Sequence, residues 1–120
     1  LMHQIHTTMK ISENIISAAI ACSTRSNMKF KLGAIVYKNE KILGRGYNRY
    51  LRKTSKFGHP IRSIHAEVDA IQFAIRKHGR RALVGASIYV YRRNGNLARP
   101  CPCCLSLIEM VGITEINYSK

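Results

Sequence analysis

Two short stretches of this sequence carry metal-binding side chains, and neither is of use unless the fold brings them together. Ser63-Ile64-His65-Ala66-Glu67 sets an imidazole and a carboxylate two residues apart where a helical pattern begins. Pro100-Cys101-Pro102-Cys103-Cys104 offers two thiolates three apart, again at the start of an apolar helical pattern. His65, Cys101 and Cys104 together make three protein ligands for Zn2+, which leaves the fourth tetrahedral position for water. Zinc lowers the pKa of such a water toward neutrality, so that hydroxide becomes available as a nucleophile. Glu67 is not needed as a ligand and is free to shuttle the proton. The competing reading is a closed structural zinc site with Cys103 as fourth ligand, but its adjacency to Cys104 makes simultaneous binding awkward.

Charge is the second constraint. Lys and Arg number 20 against 6 Asp and Glu, a formal charge of +14 on 120 residues. Such a balance favours a polyanionic partner, most simply nucleic acid, over a surface that serves only solubility. Four cysteines with a C-x-x-C and no signal-peptide pattern point to a reducing, intracellular setting rather than a disulfide framework. No apolar run is long enough for a bilayer, so no membrane partner is expected.

In chain order, residues 1–10 read as a flexible N-terminal tail, whose His3 and His6 are not assigned to metal, and residues 11–120 as a single domain. Ile11, Ile15, Ala18, Ala19 and Cys22 recur at helical spacing behind Ser12, a residue suited to cap a helix. Leu32 to Tyr37 and Ile42 to Asn48 read as a hairpin about Lys38-Asn39-Glu40-Lys41. The small Gly44 and Gly46 suit close approach of a ligand or another backbone. Arg49 through Arg62 is a basic loop with Tyr50, Phe57 and His59 interleaved, suited to stacking on bases and tracking phosphates, or else a solvated mobile loop. The helix of His65 continues through Val68, Ile71, Ala74 and Ile75 to a Gly79 cap, with His78 on the surface. Ala86 to Tyr91 is a third strand, a second zinc helix runs on from Cys104 to Gly112, and Ile113 to Tyr118 is a fourth strand. The order α-β-β-α-β-α-β predicts an α/β fold on one mixed sheet with right-handed crossovers.

The pattern H-x-E…P-C-x-x-C, together with Leu32-Gly33-Ala34-Ile35-Val36 and Gly46-Tyr47-Asn48, resembles the cytidine deaminase-like superfamily over residues from about Ile11 to Tyr118. That resemblance implies a three-layer fold, a mixed sheet with helices on both faces, here in a minimal version ending after the fourth strand. It further implies that Asn48 hydrogen-bonds the substrate's sugar or base, and that the backbone N–H of Ala66 holds the base carbonyl. The missing continuation leaves an edge strand near Tyr118, from which homo-oligomerisation is an expectation.

For substrate, three readings stand side by side. The first is cytosine deamination in single-stranded DNA or RNA, using Arg49, Arg52, Lys53 and Arg62 of the loop and Arg92, Arg93 and Arg99 near the zinc cysteines. The second is deamination of a free nucleotide such as deoxycytidylate, with one or two of those arginines on a single phosphate. The third is a zinc-stabilised nucleic-acid-binding module without turnover, for which Glu67 would have no use. The expectation favours the first.

Overall fold

Strand β2 (Leu32–Lys38) is buried over its five central residues, and its alternating side chains supply two separate cores. Ala34 and Val36 join one hydrophobic cluster, Ile35 and Tyr37 the other. Both faces of the sheet are therefore covered, as the three-layer expectation requires. The computed structural model describes residues 11–51, 63–94 and 98–119, and the backbone of Ile5 and His6. Strand β1 (Ile5–His6) precedes helix α1 (Glu13–Ser23), and β2 and β3 (Lys41–Tyr47) form the expected antiparallel hairpin. Its tight turn uses Asn39 at φ 56°, a conformation asparagine tolerates better than most residues. Short strands β4 (Arg49–Tyr50) and β5 (Ser63–Ile64) pair with each other and lead into α2 (Ala66–His78). A short 3-10 helix at Arg80–Leu83, β6 (Ser87–Arg92), α3 (Pro102–Met110) and β7 (Glu115–Tyr118) complete the order.

The main sheet runs β1-β7-β6-β2-β3. β6 is antiparallel to β2 and parallel to β7, so the sheet is mixed. It holds five strands where four were expected. The difference is β1, which lies in the presumed tail and pairs in parallel with Glu115 and Ile116. The β7 edge expected to be open is thus paired over that stretch. Two residues with no hydrophobic alternation carry no strand signal; the parallel partner supplies what their sequence lacks.

On one face α1 packs Ile15, Ala18, Ala19 and Cys22 against Ile35, Tyr37 and Tyr89. Its cap is as expected: the Ser12 Oγ accepts from the Asn14 N–H at 3.1 Å. Replacing Ser12 with Ala should cost about 1 kcal/mol of stability, measured as a lowered urea midpoint with an unchanged denaturant slope. Cys22 is buried, and that burial pushes its thiol pKa up.

The other face carries α2 and α3 over Ala34, Val36, Ile88 and Val90. The buried ridge of α2 differs from the sequence expectation. Ile71 and Ala74 are buried, whereas Val68 and Ile75 are only partly covered, and the closest line is Ala66, Ala70 and Ala74. Gly44 and Gly46 explain the shift. A Cβ at Gly44 would collide with the Ala70 carbonyl, and one at Gly46 with the Ala70 N–H and the Ala66 carbonyl. The absent side chains let the helix backbone settle on β3, and only alanine fits at that separation. α3 begins at Pro102, ahead of the Cys104 start expected, because proline is favoured in the first helical turn. Gly79 and Gly112, at φ 89° and 92°, end α2 and α3.

Candidate active site

His65 and Cys101 hold the same structural post in their helices: each is the residue preceding the first helical turn. Their carbonyls accept from Asp69 (3.0 Å) and Leu105 (2.9 Å), but neither side chain caps its helix. A serine or aspartate would be the favoured cap. Here the side chains turn instead toward each other. His65 Nδ1 lies 3.2 Å from Cys104 Sγ and 3.8 Å from Cys101 Sγ. All three donor atoms fall within 4.8 Å of one another. Around a tetrahedral zinc, nitrogen and sulfur ligands would sit about 3.6 Å apart, between the two distances found here.

The electrostatics point the same way. Burial pushes the Cys104 thiol far above its usual range, and the neighbouring Glu67 charge adds to the effect. Without a cation this thiol keeps its proton; zinc would displace it. The positive ends of α2 and α3 both face the group and help hold thiolate there. Cys103 is exposed and outside the cluster, which removes it as the closing ligand of a structural site.

Glu67 follows one residue into α2 and is only 4% exposed. Burial raises its carboxyl above the usual range, while its own backbone N–H and the nearby His65 pull the other way. A buried carboxyl with a raised pKa, beside an open metal position, is suited to passing protons in both directions.

Glu67, Ala66, His65 and Cys101 share a cleft of about 510 Å3 with Asn48, Leu32, Ile64, Phe30 and Tyr50. It opens where the chain leaves β6, at the carboxyl ends of the parallel β6 and β7, a common place for ligands in such sheets. Among the described residues, two cations line it, Lys29 and Arg99. Asn48 is in the wall, yet both ends of its amide are engaged: Oδ1 accepts from Leu32 N–H at 2.8 Å and Nδ2 donates to the Phe30 carbonyl at 2.6 Å. One N–H and one lone pair are left for a ligand.

The other arginines singled out from the sequence scatter. Arg49 turns from the cleft to pair with Asp69, whose Oδ2 also accepts from the Tyr47 N–H at 3.1 Å. That bond raises the Arg49 pKa further. Arg25, Arg45, Arg49 and Arg76 share a separate hollow of about 220 Å3 that has no lining residue in common with the cleft. Arg92 stacks on Phe30, and Arg93 is exposed, its backbone N–H donating to the Lys31 carbonyl. Arg52, Lys53 and Arg62, with Phe57 and His59, lie outside the described residues. Sequence reasoning missed Lys29, Phe30 and Leu32. Their one signal was position, at the entry of a strand beside the end of β6, from which the chain runs on to Cys101.

Two helix starts thus present a histidine and two cysteines to one point, with a buried glutamate beside them, on a three-layer mixed sheet. The family model for the cytidine and deoxycytidylate deaminase zinc-binding region matches residues 9–120, and the chain belongs to that family. It is similar to the deoxycytidylate deaminase of Mycobacterium phage D29, at 29% identity over 90% of this chain and 93% of that protein. Its structure is similar to the dCMP deaminase of cyanophage S-TIM5 in complex with dCMP and dUMP, with TM-score 0.66 and 26% identity over 88% of this chain and 78% of that one. The guanine deaminase of Bacillus subtilis shares the fold at TM-score 0.61 and 23% identity, over 92% of this chain and 64% of that one. No helix among the described residues is long and apolar enough to cross a membrane.

Proposed function

We propose that the chain is a hydrolytic deaminase of a free cytosine nucleotide, deoxycytidylate above all, which it converts to deoxyuridylate and ammonia. The observation that carries this is the cleft. It is of a size for one nucleotide, it has Glu67, His65 and Cys101 in its wall, and its described cations, Lys29 and Arg99, suffice for a single phosphate. The phage relatives named for deoxycytidylate support the same choice. The nucleic-acid substrate favoured by net charge has less support, because four arginines gather in a hollow away from the cleft.

Zinc held by His65, Cys101 and Cys104 would supply a Lewis acid that lowers the pKa of water. Glu67 accepts a proton from the attacking water and delivers it to the ring nitrogen beside the carbon under attack; it then takes the hydroxyl proton of the resulting adduct and passes it to the amine, so that ammonia leaves as the carbonyl forms. The Ala66 N–H, in the first turn of α2 where it has no intrahelical acceptor, would hold the base carbonyl. Apolar Leu32, Ile64 and Phe30 keep bulk water from the ring.

Incubation of zinc-loaded protein with deoxycytidine, deoxycytidylate and a cytosine-containing single-stranded oligonucleotide, at low and high salt, tests this. Deoxycytidylate should be the best substrate, with a shallow salt dependence set by one phosphate. Uracil in the oligonucleotide alone, steeply suppressed by salt, would overturn the proposal in favour of an editing enzyme.

A further inference from the structure

Phe30 is 45% exposed, yet it forms part of the cleft wall. An aromatic ring so open to solvent needs something to fix its direction. Two bonds fix its backbone: the Asn48 amide accepts from Leu32 N–H and donates to the Phe30 carbonyl. The ring is held by cations. Arg92 Cζ lies 4.7 Å from the ring centroid, nearer than the exposed Lys29, whose Nζ is 5.5 Å away.

Arg92 is well anchored for the purpose. It ends β6 in register with Leu32, and its backbone N–H donates to Ser119 Oγ at 2.9 Å. Its Nε is buried and has no hydrogen-bond partner among the described residues. The contact described for its guanidinium is the Phe30 ring.

We infer that Arg92 is a positioning residue: it stacks on Phe30 and sets the ring as the wall against which the substrate lies, without itself touching the phosphate. The inference rests on the nucleotide-deaminase reading. It also gives Asn48 a second duty, that of holding the Phe30 backbone.

The test is steady-state kinetics and dUMP calorimetry on the zinc-loaded protein, with Arg92→Met, Arg92→Lys, Phe30→Leu and the Arg92→Met/Phe30→Leu double variant, alongside urea midpoints. Arg92→Met should raise KM roughly five- to tenfold, the size of a partly buried cation–ring contact, with kcat within about twofold. The loss should be equal for deoxycytidylate and deoxycytidine, matched in the dUMP Kd, and partly restored by Arg92→Lys. The double variant should be no worse than Phe30→Leu alone. Additive losses, or a loss seen only with the phosphate-bearing ligands, would overturn the inference. So would losses that merely track a lowered urea midpoint in both Arg92 variants. A wild-type protein that turns over neither substrate would instead remove the nucleotide reading, and this inference with it.

Discussion

Glu67→Gln should lower turnover by about three orders of magnitude while leaving the protein folded and its zinc bound. Glutamine keeps the shape of the side chain but accepts no proton, and positioned proton transfer contributes factors of about 10² to 10⁴. The metal is indifferent to the change because Glu67 is not in the ligand group of His65, Cys101 and Cys104. The measurement pairs uracil formation with metal content after dialysis. Loss of zinc along with activity would mean that Glu67 is a ligand. Retained activity would mean that another group carries the proton.

Gly46→Ala should be at least as damaging, by a different route. The added methyl would meet the backbone of α2 at Ala66 and Ala70, which cannot swing aside as a side chain can. Overpacking of that kind costs about 3 kcal/mol when the neighbour is rigid. The same collision bears on the first turn of α2, just where His65 and Glu67 are set. Zinc affinity should therefore fall together with the urea midpoint. A variant of normal stability and normal zinc affinity would show that α2 can retreat from β3 without cost.

These two residues also mark how far the sequence could be read. The place of Glu67 was legible because it is local: a carboxylate two positions beyond the histidine that precedes a helix enters the first turn beside it. The hairpin, the Ser12 cap and the Gly79 stop were legible for the same reason. Gly46 was half legible. Its smallness announced a close approach, but only the fold says that the neighbour is the alanine ridge of α2. β1 was illegible, since two residues hold a strand only through β7. Net charge said least about the site. It sums over the chain, whereas a substrate meets only the charges in its cleft. Arg49 had been set against phosphate, but Asp69 claims it at the edge of the sheet. Arg92 was marked as a phosphate contact, and its partner turned out to be a ring. Neither pairing can be anticipated from spacing, because each joins segments that meet only after folding.

The β4–β5 ribbon has a consequence for the diversification of such proteins. Arg49 pairs with Ile64 and Tyr50 with Ser63, so the chain between them departs from and returns to one clasp. Tyr50 and Ser63 both line the cleft that His65 also lines. An exchange of the intervening segment, even at twice its length, would add only about 0.6 kcal/mol of closure entropy, and the clasp would keep the disturbance from His65. Changes between Tyr50 and Ser63 thus begin and end at the cleft wall, and new substrate preferences can be tried there while the chemistry beneath is left as it was.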